Sequence, residues 1–396
     1  MAASSSKPSL CHDEEISHSF EELDLSFGSF TPEEILNIIR SSSSSNKKKT
    51  NAFVRMAKMQ KGSVELLKRI VYEDPMQWQE ILDEILECIL EVITNEYGHH
   101  LFLMILERCD LHQFQTIIDT LELNEALLIN ASFMKYGSIA IQGFIKKLKL
   151  KGLAHSITSL LSKRFVELMT SEHGRYVVLQ CIYTFGAKEN EVLFSCAMHH
   201  FKEVATTKYG CSSLNDFLKL MCGDQRKQLL ENIAEESNFL VNDPWGSIVL
   251  ENALALNDEE AIHKICDRLK MEFINLPRRG SGSLVQTCTR ASKYGMKSVV
   301  ESLLQVSENT LLELASERFG TYVIQVALIL TRTHDVELYE LLAASLKPLN
   351  FALSLTKYGT QLIVKNFISK AKEKREGGIL EQPQEEQFCD LVLVFF

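Results

Sequence analysis

Between Met76 and Ile93 the chain reads MQWQEILDEILECILEVI, and its large apolar residues fall three and four places apart: Trp78, Ile81, Leu82, Ile85, Leu86, Ile89 and Ile93. That spacing lays one apolar stripe along one side of a helix. The same period returns nearly throughout from about Asn51 to Lys372. Sustained period-two alternation and Asn-Gly hairpin turns are missing, so the pattern predicts an all-α chain. The 396 residues include 7 prolines, which leaves room for many long helices.

The flanks read differently. Residues 1–50 are polar and Ser-rich and end in SSSSSNKKK (Ser41–Lys49), with too little apolar surface to offset the entropy of ordering. They read as mostly disordered, except for TPEEILNIIR (Thr31–Arg40). There a Thr cap, a Pro in the first turn and two Glu predict a helix start. Residues 51–372 read as a helical repeat array. Residues 373–396 read as a polar tail that closes on the apolar CDLVLVFF.

Within the array one phrase recurs. MKYGSIAIQGF (Met134–Phe144) is echoed by TKYGCSSLNDF (Thr207–Phe217) and TKYGTQLIVKNF (Thr356–Phe367). Alignment on the glycine gives nine occurrences: Gly62, Gly98, Gly137, Gly174, Gly210, Gly246, Gly280, Gly320 and Gly359. The gaps between them are 36, 39, 37, 36, 36, 34, 40 and 39 residues, a period found in solenoid repeats. Six of the nine preceding residues are Tyr, Phe or Trp. A further Lys-Tyr-Gly ends at Gly295, only 15 residues after Gly280, and reads as a turn after a helix.

In each repeat the glycine is expected just before a helix, where the chain turns tightly. Counting from it, positions +1 and +5 lie one helical turn apart on the same face, with +2 beside them. Positions +3, +4 and +7 turn to the core; in the third repeat these are Ala140, Ile141 and Phe144. One repeat cannot bury its own apolar face, so the repeats must stack. The +1, +2 and +5 side chains would then line one surface.

The motif aromatic–Gly–x–x–apolar–apolar–Gln resembles the Pumilio (PUF) repeat. RFGTYVIQVAL (Arg318–Leu328), KYGSIAIQGF (Lys135–Phe144) and PWGSIVLENAL (Pro244–Leu254) match it best. The resemblance covers about 310 residues and implies a divergent member of that family. It implies a right-handed α-solenoid, a crescent of eight to nine three-helix repeats that binds single-stranded RNA at one base per repeat. In the family, +1 and +5 bond a base edge and +2 stacks between bases. Carried onto this chain, Ser138 and Gln142, flanking Ile139, resemble adenine readers, and Ser247 and Glu251, flanking Ile248, resemble guanine readers. Thr321 and Gln325 flank Tyr322, the best stacking residue of the set. The fifth repeat offers Cys211, Ser212 and Asn215, the fourth Arg175 and Tyr176, and the second His99 and His100.

Other repeats depart from the pattern. On the glycine alignment, +5 holds Leu67, Leu103, Leu179, Val285 and Val364, none of which can bond a base edge. Gln180 and Gln286 stand one place late, where a small helix rotation would be needed to bring them in. The expectation is three or four reading repeats among others that contact backbone or nothing.

Net charge is −10, an acidic body for a nucleic-acid ligand. Against this, Lys61, Lys135, Lys208, Arg278, Arg279, Arg318 and Lys357 recur one or two places before the glycines and predict a basic stripe. Acidic residues such as Asp83, Glu84, Glu87 and Glu91 fall in other phases. The ten cysteines form no C-x-x-C pair and read as reduced, apolar fillers of a cytoplasmic protein, with the nucleus or nucleolus as alternatives. Adjacent histidines at 99–100 and 199–200 point to different sides of a helix, which argues against a metal site. No catalytic triad, phosphate-binding Gly loop or H-E-x-x-H motif occurs, so neither an enzyme nor a cofactor is expected.

The resemblance implies a monomer, away from membranes, that binds mRNA 3′ untranslated regions. It would regulate translation and mRNA stability through translation-repression or deadenylation factors. Two rival readings stand beside it. One is a Pumilio-like scaffold that binds proteins, which the apolar +5 residues and net charge favour. The other is a ribosomal RNA processing factor, a class with a more basic surface.

Overall fold

The computed structural model describes residues 52–72, 75–149 and 154–364. The expected helix at Thr31–Arg40, the Ser-rich segment and the apolar tail lie outside the described residues. Every regular element among the described residues is helical. Two compact units meet at Ala197 and Met198, and each is described in turn.

In the N-terminal half, Ala52–Ala57 precedes the first glycine helix, Gln60–Tyr72. Three triplets follow, each an outer helix, a short helix and a glycine helix. They are Pro75–Glu87, Ile89–Ile93 and Gly98–Arg108; Leu111–Glu122, Glu125–Ser132 and Lys135–Leu148; and Ala154–Ser162, Phe165–Met169 and Gly174–Thr184. Gln60–Tyr72 packs on Gly98–Arg108, which packs on Lys135–Leu148, which packs on Gly174–Thr184. Ala140, Ile141 and Phe144 are buried, as their phase on the helix requires. Full burial of a side chain like Phe144 stabilises by about 1.5–3 kcal/mol.

The C-terminal half continues the scheme. Glu191–His199, which straddles the boundary, leads to Phe201–Ala205 and Lys208–Leu220. Next come Gly223–Glu235, Ser237–Leu240 and Pro244–Leu254. The seventh repeat has an outer helix, Glu259–Leu269, and a glycine helix, Gly282–Ala291, but turns replace its short helix. The eighth has Lys293–Leu304, Glu308–Ser316 and Arg318–His334; the ninth has Val336–Leu346, Asn350–Ser354 and Lys357–Ile363. The tripeptide ending at Gly295 therefore opens an outer helix, which corrects the expected turn. Ser292 caps that helix by accepting from the Gly295 N–H at 3.0 Å.

Apart from Gly280, the repeat glycines lie inside the first turn of their helices, not before it, and φ is positive at none of those eight. Their role is close approach. A Cβ at Gly246 would sit 2.6 Å from the Leu240 carbonyl oxygen, and one at Gly359 2.5 Å from that of Leu353. At Gly62, Gly98, Gly137, Gly210 and Gly320 the clash is tighter still, in every case with the carbonyl six residues back. That carbonyl lies on the helix that precedes the glycine helix, so the glycine lets two backbones touch. The residue three places before the glycine often caps the turn. Asn95, Ser171, Thr207, Asp243 and Thr356 each accept from the glycine N–H at 2.8–3.1 Å.

Candidate RNA-reading face

The burial pattern sets the register of the face. In the sixth repeat +3, +4 and +7 are Val249, Leu250 and Ala253, and in the eighth Val323, Ile324 and Ala327; all are fully buried. In the seventh repeat the fully buried residues are Leu284, Val285 and Cys288. Those are +3, +4 and +7 from Ser281, not from Gly280. A second contact agrees. In the first and third repeats the +1 hydroxyl, Ser63 or Ser138, donates to the carbonyl of the residue before the next glycine, Tyr97 or His173. In the seventh, the residue whose Cβ position faces its counterpart, Phe319, is Gly282. Gly280 is the turn glycine, with φ +89° and open space at its Cβ position. Ser281 thus fills the glycine slot, because the short helix that would crowd it is absent. Val285 is a core residue, and Gln286 stands at +5 without any helix rotation.

With this correction, +5 holds Leu67, Leu103, Gln142 and Leu179 in the N-terminal half. In the C-terminal half it holds Asn215, Glu251, Gln286, Gln325 and Val364. Gln180 does not join the row: it is buried, and its amide donates to Thr184 Oγ1 at 2.7 Å. Leu103 packs over Gly143 of the following repeat, where a Cβ would strike its Cδ2.

One of the proposed edge pairs meets as its spacing requires. Gln142 Nε2 lies 3.2 Å from Ser138 Oγ. The +1 side chains, however, sit deeper than expected. Ser138 and Thr321 are 2% and 3% exposed, and Cys211 and His99 are also buried. The +1 hydroxyl protons are engaged: Ser138 donates to His173 O at 2.8 Å, Ser247 to Val241 O at 3.3 Å and Thr321 to Ala315 O at 2.6 Å. What these hydroxyls retain is acceptor capacity. Glu251 accepts from Ser283 Oγ, the +2 residue of the next repeat, at 2.7 Å. That bond places the +5 row of one repeat against the +2 row of the next.

The +2 row is the open part of the face. Ile139, Tyr176, Ile248 and Tyr322 are all more than a third exposed, a high value for large apolar side chains. His100 and Ser212 are half-buried. Arg175 lies over the Tyr176 ring at 4.3 Å from its centre. His99 turns away: it stacks on Tyr136 at 5.0 Å and faces the Asn95 carbonyl at 3.1 Å. Burial, with His100 beside it, holds its pKa down to about 4.

The basic stripe is only partly available. Arg278 pairs with Glu313 at 2.6 Å and with Glu317, and Arg279 reaches Glu272 at 3.4 Å and Asn242 at 3.1 Å. Lys135, Lys208, Arg318 and Lys357 are exposed and instead lie over the next residue's ring, 5.1–5.5 Å from its centre. The capping residues and the register of the seventh repeat are what sequence reasoning missed. The recurring Asn/Ser/Thr/Asp three places before glycine was a signal for the first.

Residues 164–195, 200–234, 240–270 and 311–328 match a family model described as the Pumilio-family RNA binding repeat. The unmatched stretch between the last two segments contains the seventh repeat's altered turn. The chain is 27% identical over 311 residues to Pumilio homolog 12 of Arabidopsis thaliana, across 78% of this chain and 51% of that protein. Pumilio homolog 9 of the same plant is 26% identical over 279 residues, across 70% of this chain and 49% of that protein. The chain thus spans about half the length of these curated relatives. Among solved structures, the Puf4 RNA binding domain bound to a 3′ UTR recognition sequence of HO endonuclease RNA aligns with a TM-score of 0.69. Identity is 20%, over 80% of this chain and 99% of that one. The RNA-binding domain of yeast Puf5p bound to SMX2 RNA gives 0.64 at 19% identity, over 81% and 96%. Both likenesses establish the helical-repeat solenoid fold.

Proposed function

Since this chain carries Pumilio-family repeats, we propose that it is a sequence-selective single-stranded RNA-binding protein. The observation that carries the reading is the +5 row of the C-terminal half. Asn215, Glu251, Gln286 and Gln325 put an amide or carboxylate at that place in four consecutive repeats. An amide offers a donor and an acceptor to a base edge, and a carboxylate accepts from the paired N–H donors of guanine. Exposed side chains at +2, Tyr322 above all, supply surfaces for bases to stack on. No bond is made or broken; the chemistry is recognition.

The Puf4 RNA binding domain, bound to a 3′ UTR recognition sequence, supports mRNA 3′ untranslated regions as the target class. On this reading the protein acts in the cytoplasm and alters translation and mRNA stability through factors it recruits. The test is enrichment from a randomised single-stranded RNA pool. The wild type should select a short motif that Tyr322→Ala/Gln325→Ala loses. Absence of enrichment at low salt in both proteins would overturn the reading and favour a protein-binding scaffold.

A further inference from the structure

Four exposed cations stand in the same place in their repeats. Lys135, Lys208, Arg318 and Lys357 each sit two residues before a glycine, at the first residue of its helix. Each head group lies over the ring of the next residue, Tyr136, Tyr209, Phe319 or Tyr358, at 5.1, 5.2, 5.5 and 5.4 Å. That distance is within cation–π range. Among the described residues none of the four pairs with a carboxylate, whereas Arg278 and Arg279 do.

The ring limits where each long side chain can go while leaving the outer donors of the head group open. Position is the second point. Residues −2 and +2 are four apart on one helix, so each cation lies one turn from the +2 side chain, on the same face. Lys208 precedes Ser212, Arg318 precedes Tyr322 and Lys357 precedes Gln361. The +2 row in turn abuts the +5 row, as the Ser283–Glu251 bond shows. Across the face the order is therefore cation, stacking residue, reading residue.

We infer that the ring-held cations of the C-terminal half, Lys208, Arg318 and Lys357, form a phosphate track along the N-terminal edge of their glycine helices. The ligand is the sugar-phosphate backbone of a single strand whose bases lie over the +2 and +5 rows. This rests on the RNA-binding reading and adds to it how an acidic chain holds a polyanion. The sixth repeat breaks the track, with Pro244 at −2, and the seventh has Arg279 partly neutralised by Glu272.

The test is the salt dependence of binding to the RNA motif that the wild type enriches, measured between about 50 and 200 mM monovalent salt. Lys208→Ala/Arg318→Ala/Lys357→Ala should weaken binding to all single-stranded RNAs about equally and leave the enriched motif unchanged. Each lost phosphate contact lowers the log–log slope by about 0.7, so the slope should fall by about 2. A control, Lys227→Ala/Lys293→Ala/Lys297→Ala, removes the same charge from outer helices and should leave the slope nearly unchanged. Lys208→Arg/Lys357→Arg should keep the wild-type slope. Motif binding with an unaltered slope in the first variant would overturn the track, as would an equal fall in the control. Failure of the wild type to enrich any RNA is a different result and sinks the RNA reading itself.

Discussion

In the N-terminal half, three of the four +5 positions are leucines, Leu67, Leu103 and Leu179; in the C-terminal half, four of five are Asn215, Glu251, Gln286 and Gln325. The position two before each glycine slot differs as well. It holds Gln60, Glu96, Lys135 and Glu172 in one half, and Lys208, Pro244, Arg279, Arg318 and Lys357 in the other. Yet both halves use the same glycine helices, the same carbonyl contact six residues back and the same core phase. Leu179 and Gln325 are 7% and 6% exposed, so packing does not distinguish them. The fold therefore accepts either chemistry at +5. On the RNA-binding reading, the difference between the halves belongs to the ligand.

The largest effect should come from making the C-terminal half resemble its neighbour. Tyr322→Ala/Gln325→Leu removes one stacking surface and one edge contact, each worth about 1–3 kcal/mol. Affinity for the enriched RNA should fall by about 3 kcal/mol in a binding titration. Leu179→Ala, on the other side of the comparison, should change affinity little. An equal loss from both would erase the distinction between the halves.

What the halves share should respond alike. Gly137→Ala and Gly210→Ala each drive a Cβ into a backbone carbonyl and should lower stability by about 2 kcal/mol in denaturant unfolding. Ser281→Ala should cost far less, since that slot already holds a side chain. A cost at Ser281 as large as at Gly210 would restore Gly280 as the repeat glycine.

A smaller change should come from Leu179→Gln, which gives the N-terminal half a second amide in the row. The enriched motif should gain selectivity at one position, by about tenfold or less, read as a change in the base frequencies recovered from the pool.

The smallest effect is on pH. Unfolded, the His99 imidazole titrates near 6.5; folded, it resists protonation down to about 4. Unfolding therefore takes up a proton as pH falls through that window, and stability declines from about pH 6.5 toward 4. From pH 7 to pH 6 this group alone should cost about 0.7 kcal/mol. His99→Phe keeps a ring against Tyr136 and should remove that part of the decline in thermal unfolding.

Much of this was legible in the amino-acid order. Helical period, the recurring glycines and the buried phase at Ala140, Ile141 and Phe144 all follow from local spacing. The seventh repeat was not, because a glycine was read as the landmark when the landmark is a contact. Ser281 can occupy the slot only because residues 271–280 form turns there in place of a short helix, and no local pattern announces that. Gln180 misled for a related reason. One step along a helix rotates a side chain by about 100°, which here points it at Thr184. The neutralisation of Arg278 depends on Glu313 and Glu317, residues of the next repeat.

The glycine contact also bears on how such a protein can change over generations. A codon for one of these glycines has almost no acceptable neighbours, because any other side chain enters a space already held by backbone. A glutamine codon at +5 becomes a leucine codon by a change of its middle base, and a glutamate codon by a change of its first. Both fit where they stand. On the RNA-binding reading, such a chain would exchange one message for another, or let a repeat fall silent, by single-letter steps that leave its shape as it was.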